Sequence, residues 1–348
     1  MTSPSAARRI QLVTRAAVGF FLLGTLFYAG PRPSVEWTES STYPATMHIV
    51  ASALPDSIAA FPAWFASQER AAGVTDPDVA KRVVFADSAN PSKTAWSVVY
   101  LHGFSATRQE TSPLSEDVAR ALGANLYETR LRGHGLPGDS LGHVQARDWM
   151  GDAAFSLDVA RRLGDSVLVI GTSTGGTLGV WLATLPKPVR EGLQALALIS
   201  PNFGPKDPAA GLLTLPWAEV VLPRFIPQRE WVAKNDEQKR FWTMRYPSTA
   251  LFPMQALVEH VREASLNDYD VPTLALYHEG DQVVDAKRTT SWLDALDAVG
   301  RVKAERVRVT PAADEDGHVI AGRIVSPSQT ATFRDRIVTF VRLRARGA

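Results

Sequence analysis

Ser173 lies in the run Gly171-Thr172-Ser173-Thr174-Gly175, a Gly-x-Ser-x-Gly pattern. Val167, Leu168, Val169 and Ile170 come before it and read as a buried strand, being apolar and mostly β-branched. A helix-compatible run from Thr177 to Leu185 comes after it. A strand that turns sharply into a helix lifts one serine clear of the sheet. The flanking glycines leave room for so tight a bend, and the helix start aims free backbone N–H groups at whatever the serine attacks. A surface Gly/Ser turn is the competing reading. A serine hydroxyl is a weak nucleophile at neutral pH and needs a base of pKa near about 7. Imidazole suits that task, and a carboxylate can fix its tautomer and steady its charged form.

The candidates for base and acid follow from position. The histidines are seven: His48, His102, His134, His143, His260, His278 and His318. His318 stands in Gly317-His318-Val319-Ile320, in a loop between an expected last strand (306–309) and an expected last helix (329–343). His278 is its rival. Asp281 follows an expected strand at 272–277, and Glu279, Asp285, Asp314 and Asp316 compete with it. Asp314 and Asp316 are close to His318 along the chain, which makes a correct approach difficult. His134, His143 and Asp148 match no zinc spacing, so they read as a loop-stabilising set and no metal is expected.

The elements that must position these residues alternate. Strands are expected at 96–101, 125–129, 167–170 and 195–200, with helices at 114–122, 148–163 and 177–185 between them. That rhythm predicts an α/β protein with a parallel sheet covered on both faces. It breaks after Ser200. Residues 201–270 carry many large apolar residues, are cut into short helices by Pro205, Pro208, Pro216, Pro223, Pro227 and Pro247, and show no convincing strand, so a helical cap or lid is expected there. Residues 57–72 read as a helix interrupted or kinked at Pro62, and Arg108, Gln109 and Glu110 as a solvated loop edge, the commoner explanation, with a buried charge pair near the site as the alternative.

The 348 residues are 45% hydrophobic and 21% charged, enough for a full core. The net charge of +1 gives no electrostatic case for nucleic acid. The absence of cysteine excludes disulfides, thiolate metal sites and a cysteine nucleophile. At the N-terminus Arg8, Arg9 and Arg15 precede an apolar stretch, 16–30, which reads as a signal sequence or short membrane anchor. Arginines on that flank would put the bulk of the protein outside the cytoplasm, on the periplasmic side, or secreted if the segment is cleaved. Residues 31–44 look like a linker.

Several of these motifs together resemble the α/β-hydrolases, in particular their carboxylesterase and monoacylglycerol-lipase-like branch. The strand ending in His102-Gly103-Phe104, the run Arg130-Leu131-Arg132-Gly133-His134-Gly135, the Gly-x-Ser-x-Gly turn, Asp281-Gln282-Val283-Val284 and Gly317-His318-Val319-Ile320 occur in the family's order. The resemblance runs from about Trp96 to the C-terminus. It implies an eight-stranded, mostly parallel sheet, a site of Ser173, Asp281 and His318, and neither metal nor cofactor. It also implies an oxyanion hole from the backbone N–H groups of Phe104 and Thr174, with His102 shaping the loop and not acting as a base. The chain then divides into a signal or anchor (1–30), a linker and helical extension (31–95), an α/β-hydrolase core (96–200 and 271–348) and a lid (201–270). The activity implied is a serine ester hydrolase of carboxylesterase or acylglycerol-lipase type, acting on a lipid-like or short acyl ester, a small molecule, through an acyl-enzyme. A thioesterase, amidase or acyltransferase using the same residues is the first alternative, and a non-catalytic membrane-tethered binding protein the second.

Overall fold

The computed structural model describes residues 4–35 and 53–345. Helix α1 spans Pro4–Tyr28. A single 3-10 turn leads into α2, Phe61–Ala71. The strands and helices that follow are β1 (Arg82–Val84), β2 (Thr94–Leu101), α3 (Leu114–Leu122), β3 (Asn125–Glu128), α4 (Ala146–Leu163), β4 (Gly164–Thr172), α5 (Thr174–Thr184) and β5 (Leu193–Ile199). Residues 201–270 hold α6 (Ala218–Phe225), β6 (Gln228–Glu230), α7 (Asp236–Phe241), β7 (Arg245–Pro247) and α8 (Leu251–Glu263). The chain then returns to the sheet with β8 (Thr273–Tyr277), α9 (Ala286–Val299), β9 (Glu305–Arg308) and the closing α10 (Pro327–Ala345).

Among the described residues the main sheet has seven strands, in the order β1-β3-β2-β4-β5-β8-β9, where eight were expected. Only β1 runs antiparallel, and the other neighbours are parallel. Side chains alternate along each strand, so both faces are apolar. Val167 and Val169 of β4 enter a core with α4, α5, α8 and α9, whereas Leu168 and Ile170 face α3 and α10, where Phe333 and Ile337 meet them. All four are fully buried.

Strand β1 has no counterpart among the expected elements. Its three residues are too short for a periodic signal, and Arg82 holds it in place by reaching Glu128 of β3 at 2.5 Å and Glu116 of α3 at 2.7 Å. Pro62 marks an interruption and not a kink, the 3-10 turn Ile58–Ala60 giving way there to α2. It stands at the start of α2, where its missing N–H has no partner to lose. Helix α2 packs Phe61 and Phe65 against Tyr127 and Phe155. Residues 201–270 also depart from expectation, since β6 and β7 pair as a short antiparallel ribbon. The reading of 31–44 as a linker falls largely outside the described residues.

The expected membrane anchor is corrected. Among the described residues no helix is long and apolar enough to cross a membrane. The uninterrupted apolar stretch is confined to 16–30. At about 1.5 Å per residue it rises roughly 22 Å, short of the ~30 Å hydrocarbon layer. The membrane partner and the periplasmic placement that rested on this anchor are withdrawn with it. Helix α1 meets the rest of the chain at Trp217, whose indole N–H donates to the Leu26 carbonyl at 3.2 Å.

Candidate active site

Strand β4 ends at Thr172 and α5 begins at Thr174, leaving Ser173 alone in the turn. Its backbone sits at φ 52° and ψ −119°, a conformation costly for any residue with a Cβ. The neighbours hold it there. The Ser173 N–H donates to Ile199 at 2.9 Å, and its carbonyl accepts from Asn202 and Thr177, each at 3.1 Å. The two glycines are required by close approach. A Cβ on Gly175 would lie 2.0 Å from the Leu101 carbonyl oxygen, and one on Gly171 would lie 2.4 Å from the Gly175 oxygen.

Asp281 follows β8, in the loop before α9. It is 1% exposed, and its two oxygens have separate tasks. Oδ1 accepts the N–H groups of Val283 and Val284 at 2.8 and 2.9 Å, and Oδ2 meets His318 Nδ1 at 2.8 Å. A carboxylate pinned on one side by a backbone turn presents its other oxygen in a fixed direction. Burial opposes a charge on His318. Asp281 outweighs it, with Glu110 and Asp314 adding to the same side, and the imidazole pKa is raised above its ordinary value.

The rival residues are engaged elsewhere. His278 Nδ1 lies 2.7 Å from the Val309 carbonyl. Glu279 pairs with Arg308, and Asp285 caps the first turn of α9. Asp314 accepts the backbone N–H groups of His318 and Val319, each at 3.1 Å, and pairs with Lys234, which also binds Asp316. Asp314 thus shapes the histidine loop without reaching the imidazole ring nitrogens by hydrogen bond.

The loop after β2 carries Phe104. His102 Nδ1 lies 2.9 Å from the Gly103 carbonyl, and its Nε2 accepts the Leu131 N–H at 3.0 Å, which fixes Nδ1 as the protonated nitrogen. Burial, with His134 and Arg130 nearby, keeps its pKa well below the usual range, so it stays neutral. Among the described residues neither the Phe104 nor the Thr174 backbone N–H has an acceptor within the chain. Residues 201–270 touch this loop. Tyr246 packs edge-on against the Phe104 ring at 5.2 Å, and the Thr243 N–H donates to Ser105 at 2.7 Å.

The solvated edge expected at 108–110 is corrected too. Arg108, Gln109 and Glu110 are all buried. Arg108 reaches Glu128 at 3.4 Å, and Glu110 takes the Gly103 N–H at 2.7 Å. The sequence held one signal, a carboxylate in the same loop as Phe104, but its burial depends on remote residues.

A mostly parallel sheet with a serine at the β4–α5 turn, an aspartate after β8 and a histidine before the last helix defines a class of folds. The family model for the alpha/beta hydrolase family matches residues 98–327, more than half of the chain, and the chain belongs to that family. Within it the chain is lipase- and esterase-like. It is 25% identical over 187 residues to a thermostable monoacylglycerol lipase of Bacillus sp. (strain H-257), covering 54% of this chain and 71% of that protein. Among solved structures, one from work on the metagenome-derived lipolytic enzymes LipS and LipT aligns with a TM-score of 0.59 at 19% identity, covering 76% of this chain and 98% of the other. The monoacylglycerol lipase of Paleococcus ferrophilus aligns at 0.55 and 17% identity, with coverages of 76% and 98%. These two likenesses are of fold.

Proposed function

We propose that the protein is a serine ester hydrolase working through an acyl-enzyme on Ser173. The observation that carries this reading is the buried 2.8 Å contact between His318 Nδ1 and Asp281 Oδ2, at the same end of the sheet as Ser173. With Nδ1 held, Nε2 is the nitrogen left to take a proton. Ser173 Oγ attacks the ester carbonyl carbon while His318 takes its proton. The carbonyl oxygen becomes an oxyanion facing the N–H groups of Phe104 and Thr174. As the carbonyl re-forms, the bond to the alcohol oxygen breaks and His318 returns the proton to that oxygen. Water then enters, gives a proton to His318 and attacks the acyl carbon; the bond from that carbon to Ser173 Oγ breaks, His318 returns the proton to Oγ, and the acid leaves.

The acyl chain has a place to lie. A cavity of about 220 Å³ is lined by Leu212, Leu213, Leu222, Leu251 and Phe252, with Tyr246 and Met254 in its wall. Tyr246 touches Phe104, and Met254 Sδ accepts from the Asn202 amide at 3.4 Å beside the Ser173 turn. Residues 201–270 thus serve as the lid over an acyl pocket. The test is Ser173→Ala assayed with p-nitrophenyl esters. Turnover should vanish, and retention of most of it overturns the reading. Thioesters and amides of the same acyl group, run beside the ester, establish which bond is preferred.

A further inference from the structure

A second buried carboxylate lies beside the site, and the reaction just described does not use it. Glu110 is 2% exposed. Its Oε2 accepts the Gly103 N–H at 2.7 Å and the Tyr100 hydroxyl at 3.2 Å. The same hydroxyl lies 3.1 Å from Thr172 Oγ1, at the end of β4. Gly103 directly precedes Phe104, so this bond fixes the backbone that aims the Phe104 N–H. A Cβ on Gly103 would lie 2.7 Å from Glu110 Oε1 and 3.1 Å from Ser173 Cβ. The glycine backbone is therefore wedged between the carboxylate and the serine. On its other side the Glu110 backbone braces the histidine loop. A Cβ on Gly322 would meet the Glu110 carbonyl oxygen at 2.7 Å, and the Arg323 N–H donates to Ser112 at 2.9 Å.

A single amide could be satisfied by a neutral side chain without burying a charge. The nearby cations do not neutralise Glu110. Arg108 turns to Glu128 and to the carbonyls of Ala80 and Pro77, and Arg323 turns to Glu237 and Gln109. The cation that faces it is the one that forms on His318. We propose that Glu110 is a positioning residue of this site: its carboxylate clamps the oxyanion loop through the Gly103 N–H and presents a second negative charge to His318. This rests on the hydrolase reading given above. Burial pushes the Glu110 carboxyl up to about 7, against the pull of the Gly103 N–H, His318 and Tyr100. The other charged groups facing His318 are Asp281 and Asp314, the latter paired with Lys234.

The test compares Glu110→Ala, Glu110→Gln and Ser173→Ala on one p-nitrophenyl ester across pH, with thermal unfolding of each. Glu110→Ala loses clamp and charge, so kcat should fall about tenfold or more, with KM held within about twofold. Glu110→Gln keeps an oxygen for the Gly103 N–H and should recover most of kcat. Its acid limb in kcat/KM should move to lower pH, because a neutral amide no longer favours the charged imidazole. Should Glu110→Ala not fold, the acid limb of Glu110→Gln decides alone. An unmoved limb in Glu110→Gln, or wild-type kcat in Glu110→Ala, overturns the proposal. Failure of both variants to unfold cooperatively marks Glu110 as a purely structural carboxylate and overturns it as well. Activity surviving in Ser173→Ala brings down the hydrolase reading itself, whereas a dead Ser173→Ala beside unaltered Glu110 variants removes only the role of Glu110.

Discussion

In the proposed mechanism the chemistry turns on the contact between Asp281 and His318, and its electrostatics set a pH dependence. Burial disfavours the charged imidazole, but Asp281, Glu110 and Asp314 outweigh it and raise its pKa. A base must be neutral to accept a proton. The activity of the wild-type protein should therefore fall as pH drops, with a midpoint above the ordinary histidine value of about 6.5. A pH profile of kcat/KM measures this, and a midpoint below that value contradicts it. Asp281→Asn removes the main carboxylate and frees the imidazole to adopt the wrong tautomer. It should lower kcat by about 10⁴ and shift the limb to lower pH. Steady-state kinetics of that variant check both effects. At this scale the sequence was legible where chemistry is local. Ser173 announces itself through two glycines, and His318 through its place between the last strand and the last helix. For Glu110 the sequence allowed burial but could not favour it over a solvated edge, because Gly322 and Tyr100, which meet it, come from the histidine loop and a central strand.

The tight turn between β4 and α5 is where the site depends most on backbone alone. Gly175→Ala would drive a methyl group to 2.0 Å from the Leu101 carbonyl. The atoms it meets are the backbone of Leu101 and His102, which cannot swing aside as a side chain would, so the variant should lose cooperative unfolding or activity. Differential scanning calorimetry together with an ester assay tests this. Helix α2 offers a second measure. Glu69 is 3% exposed and grips Arg130 through two bonds, at 2.5 and 2.9 Å. Arg130 also donates to the His134 carbonyl at 3.0 Å, so the ion pair ties α2 to the Arg-x-Arg-Gly-His-Gly loop. Glu69→Ala strands a buried guanidinium and should cost about 3–5 kcal/mol of stability. Urea unfolding reads it directly. The sequence showed α2 as an apolar helix but gave no sign of this tie, since an isolated Glu and a distant Arg carry no joint pattern. It also left open whether Pro62 interrupts the segment or kinks it, because a proline kinks a helix or starts one according to where the helix begins.

Across the whole molecule, the alternating periodicity of strand and helix was enough to foresee a doubly covered parallel sheet, because each strand buries both faces. The 201–270 segment resisted such reading. Its apolar residues divide between a buried set, including Phe241 and Trp242, and an exposed set, including Phe225 and Val232. Tertiary contacts alone make that division. The cavity this segment lines, taken as the proposed acyl pocket, predicts a chain-length preference: Leu213→Trp fills part of it and should shift activity toward shorter acyl esters, which a graded p-nitrophenyl series measures. The most direct measurement of the central claim is intact-mass and peptide mapping after treatment with a fluorophosphonate probe. A single adduct on Ser173, absent from Ser173→Ala, is the expected result. Ester turnover by a protein that takes no adduct at Ser173 would contradict it.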